Sequence, residues 1–121
     1  MTHRESVFLS QQHKLRYEEL LLKDNTRNRD SERYALFFLL AGNDDLYQKR
    51  NSIYNFSEHQ IRLCLSDDKV DFSSGCEALI RLGFNLYNRY RDECTTPLEL
   101  LSNLDEENQL LALNAMALRF S

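Results

Sequence analysis

The sequence predicts an all-α fold, a compact orthogonal bundle of five or six helices that forms a single domain over residues 1–121. One Pro and three Gly in 121 residues are too few for the many turns of a β-rich fold. The stretch 35–41 is apolar on every side, which is typical of a helix in the centre of a fold. Signals for further helix starts recur along the rest of the chain.

The first predicted helix begins at Ser10 and has a wide apolar face that includes residues 20–22. It ends in the polar loop 24–29, which is rich in turn-forming residues. Asp30 or Ser31 is expected to cap the second helix, because a side-chain oxygen at that position accepts hydrogen bonds from free backbone amides. The apolar stretch 35–41 places this second helix at the centre.

Gly42 is expected to close the second helix as a left-handed C-terminal residue. Asn43 or Asp44 then opens a third helix, which extends to about Arg50 and at most to Tyr54. The next segment, 55–71, has two readings. A capping box at Ser57 favours a short helix over 57–65, whereas the alternation of apolar residues from Ile61 to Leu65 favours an irregular or extended segment.

The second half of the chain contains three more helix starts. A capping box at Ser74 opens a mostly apolar helix that runs to about Tyr90 and is expected to be the second central helix. Thr96 and Pro97 open a short helix, because Pro is favoured at the first helical position. Asp105 caps a last helix, which stays apolar to its end and is therefore expected to dock on the core.

The charge distribution favours a partner with a basic surface. The net charge is −4, and residues 61–121 contain ten acidic but only six basic side chains. Nucleic-acid binders usually have the opposite excess, so a nucleic-acid partner is not expected. No apolar run approaches the roughly 20 residues of a membrane span, and no signal peptide is visible. The expected location is cytoplasmic.

No motif predicts a cofactor, a metal site or a catalytic site. The three Gly are scattered, the three Cys contain no Cys-x-x-Cys pair, and none of the three His has a metal-ligand spacing. We therefore expect that the protein is not an enzyme. An unrecognised site around Asp44, Asp45 and His59 is the remaining enzymatic hypothesis, although acids at a helix start are stabilising without any catalytic role.

Two sets of residues are predicted to contact a protein partner. Tyr and Arg are common anchors of interfaces, which singles out the patch Tyr47, Arg50, Tyr54 and Phe56. The acidic set comprises Asp67, Asp68, Glu106 and Glu107. For the aromatic patch, the structural alternative is that it covers one side of the core.

Two alternatives stay open at this stage. Arg27, Arg29 and Arg33 form a basic group that would contact phosphates in a nucleic-acid-binding accessory protein, although neighbouring acids largely offset their charge. Exposed Tyr and Leu side chains would also allow a homodimer.

The sequence resembles an uncharacterised family of small all-helical bacterial proteins, which also occur in mobile elements and phages. The resemblance covers about His13 to Phe120 and depends on the segments 30–37, 41–47, 70–74, 84–88 and 111–115. It implies a compact helical fold, no assigned activity and no known catalytic residue. Together with the acidic second half, it leads to the hypothesis of a small interaction module, in its most specific form a phage or mobile-element inhibitor of a host defence protein.

Overall fold

The computed structural model describes residues 8–66 and 70–121, and these contain seven α-helices. The helices are α1 (Gln11–Asp24), α2 (Ser31–Gly42), α3 (Asp44–Gln48), α4 (Arg50–Ile53), α5 (Ser74–Asn88), α6 (Pro97–Ser102) and α7 (Glu106–Arg119). The predicted all-α class is confirmed. The described residues form more than the five or six predicted helices, since the third predicted helix is divided at Lys49 into α3 and α4.

Helix α2 lies at the centre of the bundle and packs against α1, α3, α5 and α7. Every side chain from Ala35 to Ala41 is buried. Each large apolar side chain of this kind stabilises the fold by about 1.5–3 kcal/mol relative to exposure in water. Although residues 35–41 of α2 are all apolar, no helix within residues 8–66 and 70–121 is long and apolar enough to cross a membrane.

Side-chain caps begin most of the helices, largely as predicted. Asp30 Oδ1 accepts a hydrogen bond from the Arg33 backbone N–H at 3.1 Å, and Asp105 Oδ1 accepts one from Asn108 at 2.9 Å. The cap of α5 is Ser73, one residue before the predicted Ser74. These caps satisfy amides that have no partner within the helix.

The segment after α4 forms a hairpin, which decides between the two readings of 55–71 in favour of the irregular or extended segment and against the helix over 57–65. Strand β1 (Tyr54–Asn55) pairs antiparallel with β2 (Gln60–Ile61), and a short 3-10 helix (Cys64–Ser66) follows. Asn55 Oδ1 accepts hydrogen bonds from the backbone N–H groups of both Ser57 and Glu58 at 3.0 Å. His59 then has a φ of 58°, a left-handed conformation that a right-handed helix does not contain.

Gly42 ends α2, but the predicted left-handed conformation is wrong, since no described glycine has a positive φ. The position needs glycine because the chain is crowded there. A Cβ atom would overlap Leu111 Cδ1 of α7 and would lie 2.9 Å from Nε2 of His13 on α1. Gly42 therefore allows α1 and α7 to approach the end of the central helix.

Candidate functional sites: the Asp24 cleft and the exposed face of α7

The last residue of α1, Asp24, is a carboxylate with a relative exposure of only 2%. Its Oδ1 atom accepts hydrogen bonds from the Tyr54 hydroxyl at 2.7 Å and from His59 Nδ1 at 2.8 Å. Its Oδ2 atom accepts one from the Thr26 hydroxyl at 2.6 Å and lies 3.6 Å from Nε of Arg33. A buried charge is tolerated only when it is paired in this way.

Arg33 joins the same network from the first turn of α2. Its guanidinium donates hydrogen bonds to the Tyr54 hydroxyl at 3.0 Å, to Asp30 Oδ2 at 3.0 Å and to the carbonyl oxygen of His59 at 2.7 Å. These three contacts use all three guanidinium nitrogens. Although burial opposes its charge, hydrogen bonds and charge pairing raise the pKa of Arg33, so it stays positive.

The charge of Asp24 is also stabilised. Burial alone would raise the pKa of its carboxyl, but the hydrogen bonds from Thr26, Tyr54 and His59 and the charge of Arg33 outweigh this effect and lower it. In the same network, burial is the main cause that raises the pKa of the Tyr54 hydroxyl, which stays protonated. Asp24 is thus an ionised acceptor and Tyr54 a donor.

Around these residues lies an open cleft of about 410 Å³, here called the Asp24 cleft. It is lined by Asp24, Asn25, Thr26, Arg27, Asp30, Arg33 and His59. The described residues contain no group of three or more His, Cys, Asp or Glu side chains that could hold a metal ion. A histidine that hydrogen-bonds to a buried carboxylate is nevertheless the pairing that orients an imidazole for binding or proton transfer.

The basic group predicted for nucleic-acid contact divides at this cleft. Arg33 is committed to the internal network, whereas Arg27 and Arg29 are exposed on the loop between α1 and α2. Only two of the three arginines are therefore free to contact phosphates. The structure does not unite the residues of the enzymatic hypothesis, because His59 pairs with Asp24, Asp44 with Arg16 and Asp45 with Lys49.

The predicted aromatic patch is partly internal. Tyr54 is fully buried, and Phe56 is half-buried and packs on the Phe37 ring, so these two cover the core. The Tyr47 ring lies beside the guanidinium groups of Arg50 and Arg16, whose central carbons are 4.1 and 4.3 Å from the ring centroid. Tyr47 and Arg50 thus contact each other instead of forming an anchor with Tyr54.

Of the two acidic pairs predicted to contact a partner, the structure describes only one. Asp67 and Asp68 lie outside the described residues. Glu106 and Glu107 are exposed in the first turn of α7, where acids are favoured by the helix dipole.

Glu106 begins a continuous exposed stripe, here called the α7 face. It consists of Glu106, Leu110, Leu113, Ala117 and Phe120. The spacing of 4, 3 and 4 residues places the first four on one side of the helix, and Phe120 directly follows its last residue, while Leu111, Ala112 and Ala115 are buried on the other side. Leu110, Leu113 and Phe120 are 50%, 51% and 78% exposed.

Sequence reasoning did not identify the centres of either site. Asp24 ends an amphipathic helix and precedes Asn and Thr, which is the ordinary composition of a turn. The 4-3-4-3 spacing in α7 is visible in the sequence, but this helix is apolar on its other side too, so the pattern alone does not tell which side is buried.

Residues 3–121 match a family of unknown function, DUF6075. Neither the curated proteins nor the solved structures contain a match to this chain. The family match covers nearly the whole chain and agrees with the resemblance to an uncharacterised family. The chain belongs to DUF6075.

Proposed function

We propose that this protein acts by binding another protein, and that the α7 face is the contact surface. The observation that supports this proposal is the exposure of three large apolar side chains, two on the same side of α7 as Glu106 and one directly after the helix. Exposed apolar stripes of this kind are typical of helices that dock into an apolar groove. Exposure of these apolar side chains to water does not stabilise the isolated chain.

The chemistry of the α7 face also specifies the partner. Leu110, Leu113 and Phe120 require an apolar groove, and Glu106, with Glu107 next to this face, requires a basic group at the end of that groove. The N-terminal end of a helix does not itself attract a cation, so the two carboxylates are the source of this preference. We therefore propose a partner with an apolar groove that has Lys or Arg at one end.

In its most specific form, the proposal is that the chain comes from a mobile element or phage and inhibits a host defence nuclease. An acidic surface suits a basic nucleic-acid channel, and the acidic second half of the sequence supports this form. It predicts that the purified protein reduces the activity of the partner nuclease, and that high salt weakens the inhibition.

The test is a comparison of affinity-tagged variants in lysate of the native host, with bound proteins identified by mass spectrometry. Leu113→Glu places a charge in the centre of the α7 face, and Glu106→Lys reverses its acidic end. Leu22→Glu is the matched control, because Leu22 is 81% exposed on α1 and is not part of the α7 face. Circular dichroism and thermal unfolding establish that each variant remains folded.

Support requires a stoichiometric protein that binds the wild type and Leu22→Glu, but binds Leu113→Glu and Glu106→Lys at least about tenfold more weakly. Equal capture by all four proteins would refute the α7 face as the contact surface. Sedimentation velocity tests the homodimer. If the wild type is a dimer and Leu113→Glu a monomer, the α7 face binds a second copy, and the proposal of a different partner fails.

A further inference from the structure

We propose that the Asp24 cleft binds a phosphate group, with Arg27 and the Nε2 atom of His59 as its contacts. This inference goes beyond the proposed protein-binding function and does not depend on it. It rests on three features of the cleft: an oriented imidazole, an uncompensated arginine, and left-handed backbone conformations in the two segments that contain them.

His59 is held so that one of its ring nitrogens remains available. Since Asp24 is ionised and accepts from Tyr54 and Thr26, Nδ1 of His59 must carry the proton of the hydrogen bond to Asp24. No described protein group hydrogen-bonds to Nε2, and the side chain is 53% exposed. A second contact, from Arg33 to the His59 carbonyl oxygen, fixes the backbone behind the ring.

Arg27 supplies a positive charge that the cleft itself does not neutralise. Both carboxylates of the cleft are occupied: Asp24 by the network described above, and Asp30 by the guanidinium and backbone N–H of Arg33. The Arg27 side chain has no ion pair or hydrogen bond with the rest of the described chain, and it is exposed. Its charge is therefore available to an anion.

Left-handed backbone conformations are concentrated around this cleft. Of the four described non-glycine residues with positive φ, Asn25 and His59 line the cleft, and Arg29 lies between the lining residues Arg27 and Asp30. Such conformations cost about 1 kcal/mol or more outside glycine, and they often occur at functional sites. Here they lie in the α1–α2 loop and at the hairpin tip, the two segments that contribute most of the cleft lining.

Phosphate fits these two contacts better than a carboxylate does. A guanidinium binds phosphate oxygens through paired hydrogen bonds. The second ionisation of a phosphate monoester has a pKa of about 6, so near neutral pH the phosphate occurs with and without its last proton and can either donate a hydrogen bond to Nε2 or accept one from it. A carboxylic acid ionises near pH 4, so near neutral pH it has no proton to donate to Nε2.

The test follows the imidazole signals of His59 by nuclear magnetic resonance in the uniformly ¹⁵N-labelled full chain. Inorganic phosphate is titrated at constant ionic strength, with acetate and chloride as the other anions. The buried imidazole of His13 is the internal reference, since its two nitrogens already have protein partners. Backbone amide signals of Asn25 and Thr26 provide a second readout on the opposite side of the cleft.

Arg27→Gln and Arg29→Gln form the matched pair of variants. Both arginines are exposed on the same loop, but only Arg27 lines the cleft. We expect saturable shifts of His59, Asn25 and Thr26 with phosphate and none with acetate or chloride. Phosphate binding should weaken about tenfold in Arg27→Gln and stay within about twofold in Arg29→Gln.

Two results would overturn the proposal. One is a His59 response to phosphate no larger than its response to chloride, and the other is equal weakening by the two arginine variants. Titrations with a sugar phosphate and a nucleoside monophosphate then compare the sources of the phosphate group. Equal affinity for both would assign recognition to the phosphate itself, whereas tighter binding of one would identify its class of ligand.

Discussion

Asp24 and His59 are 35 positions apart in the chain, and the Nδ1 atom of His59 donates a hydrogen bond to Oδ1 of Asp24 at 2.8 Å. This hydrogen bond connects the C-terminal end of α1 to the tip of the hairpin. Tyr54 and Arg33 lie behind it, so the same carboxylate also connects β1 and α2. A single buried charge thus links three segments, which are the end of α1, the start of α2 and the hairpin.

We expect Asp24→Asn to lower the free energy of unfolding by about 2–4 kcal/mol. An amide cannot replace a carboxylate that accepts three hydrogen bonds, and the substitution also leaves Arg33 less well paired. Urea denaturation measures the change. Glu58→Gln is the control in the same hairpin, and a change within about 0.5 kcal/mol is expected for this exposed side chain. Equal stability of the two variants would contradict a structural role for the Asp24 charge.

The Tyr54 hydroxyl donates to Asp24 and accepts from Arg33, so Tyr54→Phe should cost about 1–2 kcal/mol. Tyr34→Phe removes a hydroxyl that also makes two hydrogen bonds, to the backbone of Arg27 and Arg29, but at an exposed site. Water can replace these contacts, and the expected loss is below about 0.5 kcal/mol. Thermal unfolding compares the stability of the two variants. A larger loss of stability in Tyr34→Phe than in Tyr54→Phe would contradict the importance of the buried Tyr54 hydroxyl.

Local chemistry explains why the helix starts could be predicted. Asp30, Thr96 and Asp105 cap their helices as expected, since a cap depends on residues only three positions away. The central position of α2 also followed from its own sequence, because an all-apolar helix has no side that favours water. These features need no knowledge of distant residues.

The hairpin and the cleft could not be predicted in the same way. The choice between helix and hairpin for 57–65 depends on contacts that reach His59 from Asp24 and Arg33, which precede it by 35 and 26 positions. Likewise, the packing of Phe37 against the Tyr54 ring determines that Tyr54 fills the core and does not anchor a partner. Non-local contacts of this kind leave no periodic pattern in the sequence.

Gly42→Ala should destabilise the fold by about 1–3 kcal/mol, although alanine normally favours a helix, because its Cβ would collide with Leu111 and press on His13. Combining it with Leu111→Ala separates the causes. In the Leu111→Ala background, the additional cost of Gly42→Ala should fall by at least about 0.5 kcal/mol, since the colliding methyl group is absent. Strictly additive costs in denaturant unfolding would show that the contact between α2 and α7 is not the reason for glycine.

The stability of the fold should decrease in two separate pH windows. His13 is buried, its Nε2 lies 2.9 Å from the Phe38 carbonyl oxygen, and its Nδ1 accepts from the Leu9 N–H at 3.0 Å, so the ring is neutral. Burial lowers the pKa of His13 below its ordinary value of 6.5, although the Phe38 contact opposes this effect. Below about pH 6.5 the unfolded chain therefore binds a proton that the folded chain does not, and stability falls by up to about 1.4 kcal/mol per pH unit.

Asp24 contributes to the second window, because its folded pKa lies below the ordinary value of 3.8, as does that of Asp92. The stability that the ionised Asp24 carboxylate contributes is complete above about pH 3.8. It is lost as the pH falls through the lower folded pKa, where the carboxylate takes up a proton. Urea unfolding between pH 3 and pH 8 separates the two groups. His13→Gln should flatten the curve just below pH 6.5 and keep the acid limb, whereas Asp24→Asn should keep the first window and make the acid limb smaller. Parallel curves for wild type and His13→Gln would mean that the buried imidazole does not limit stability at mildly acidic pH.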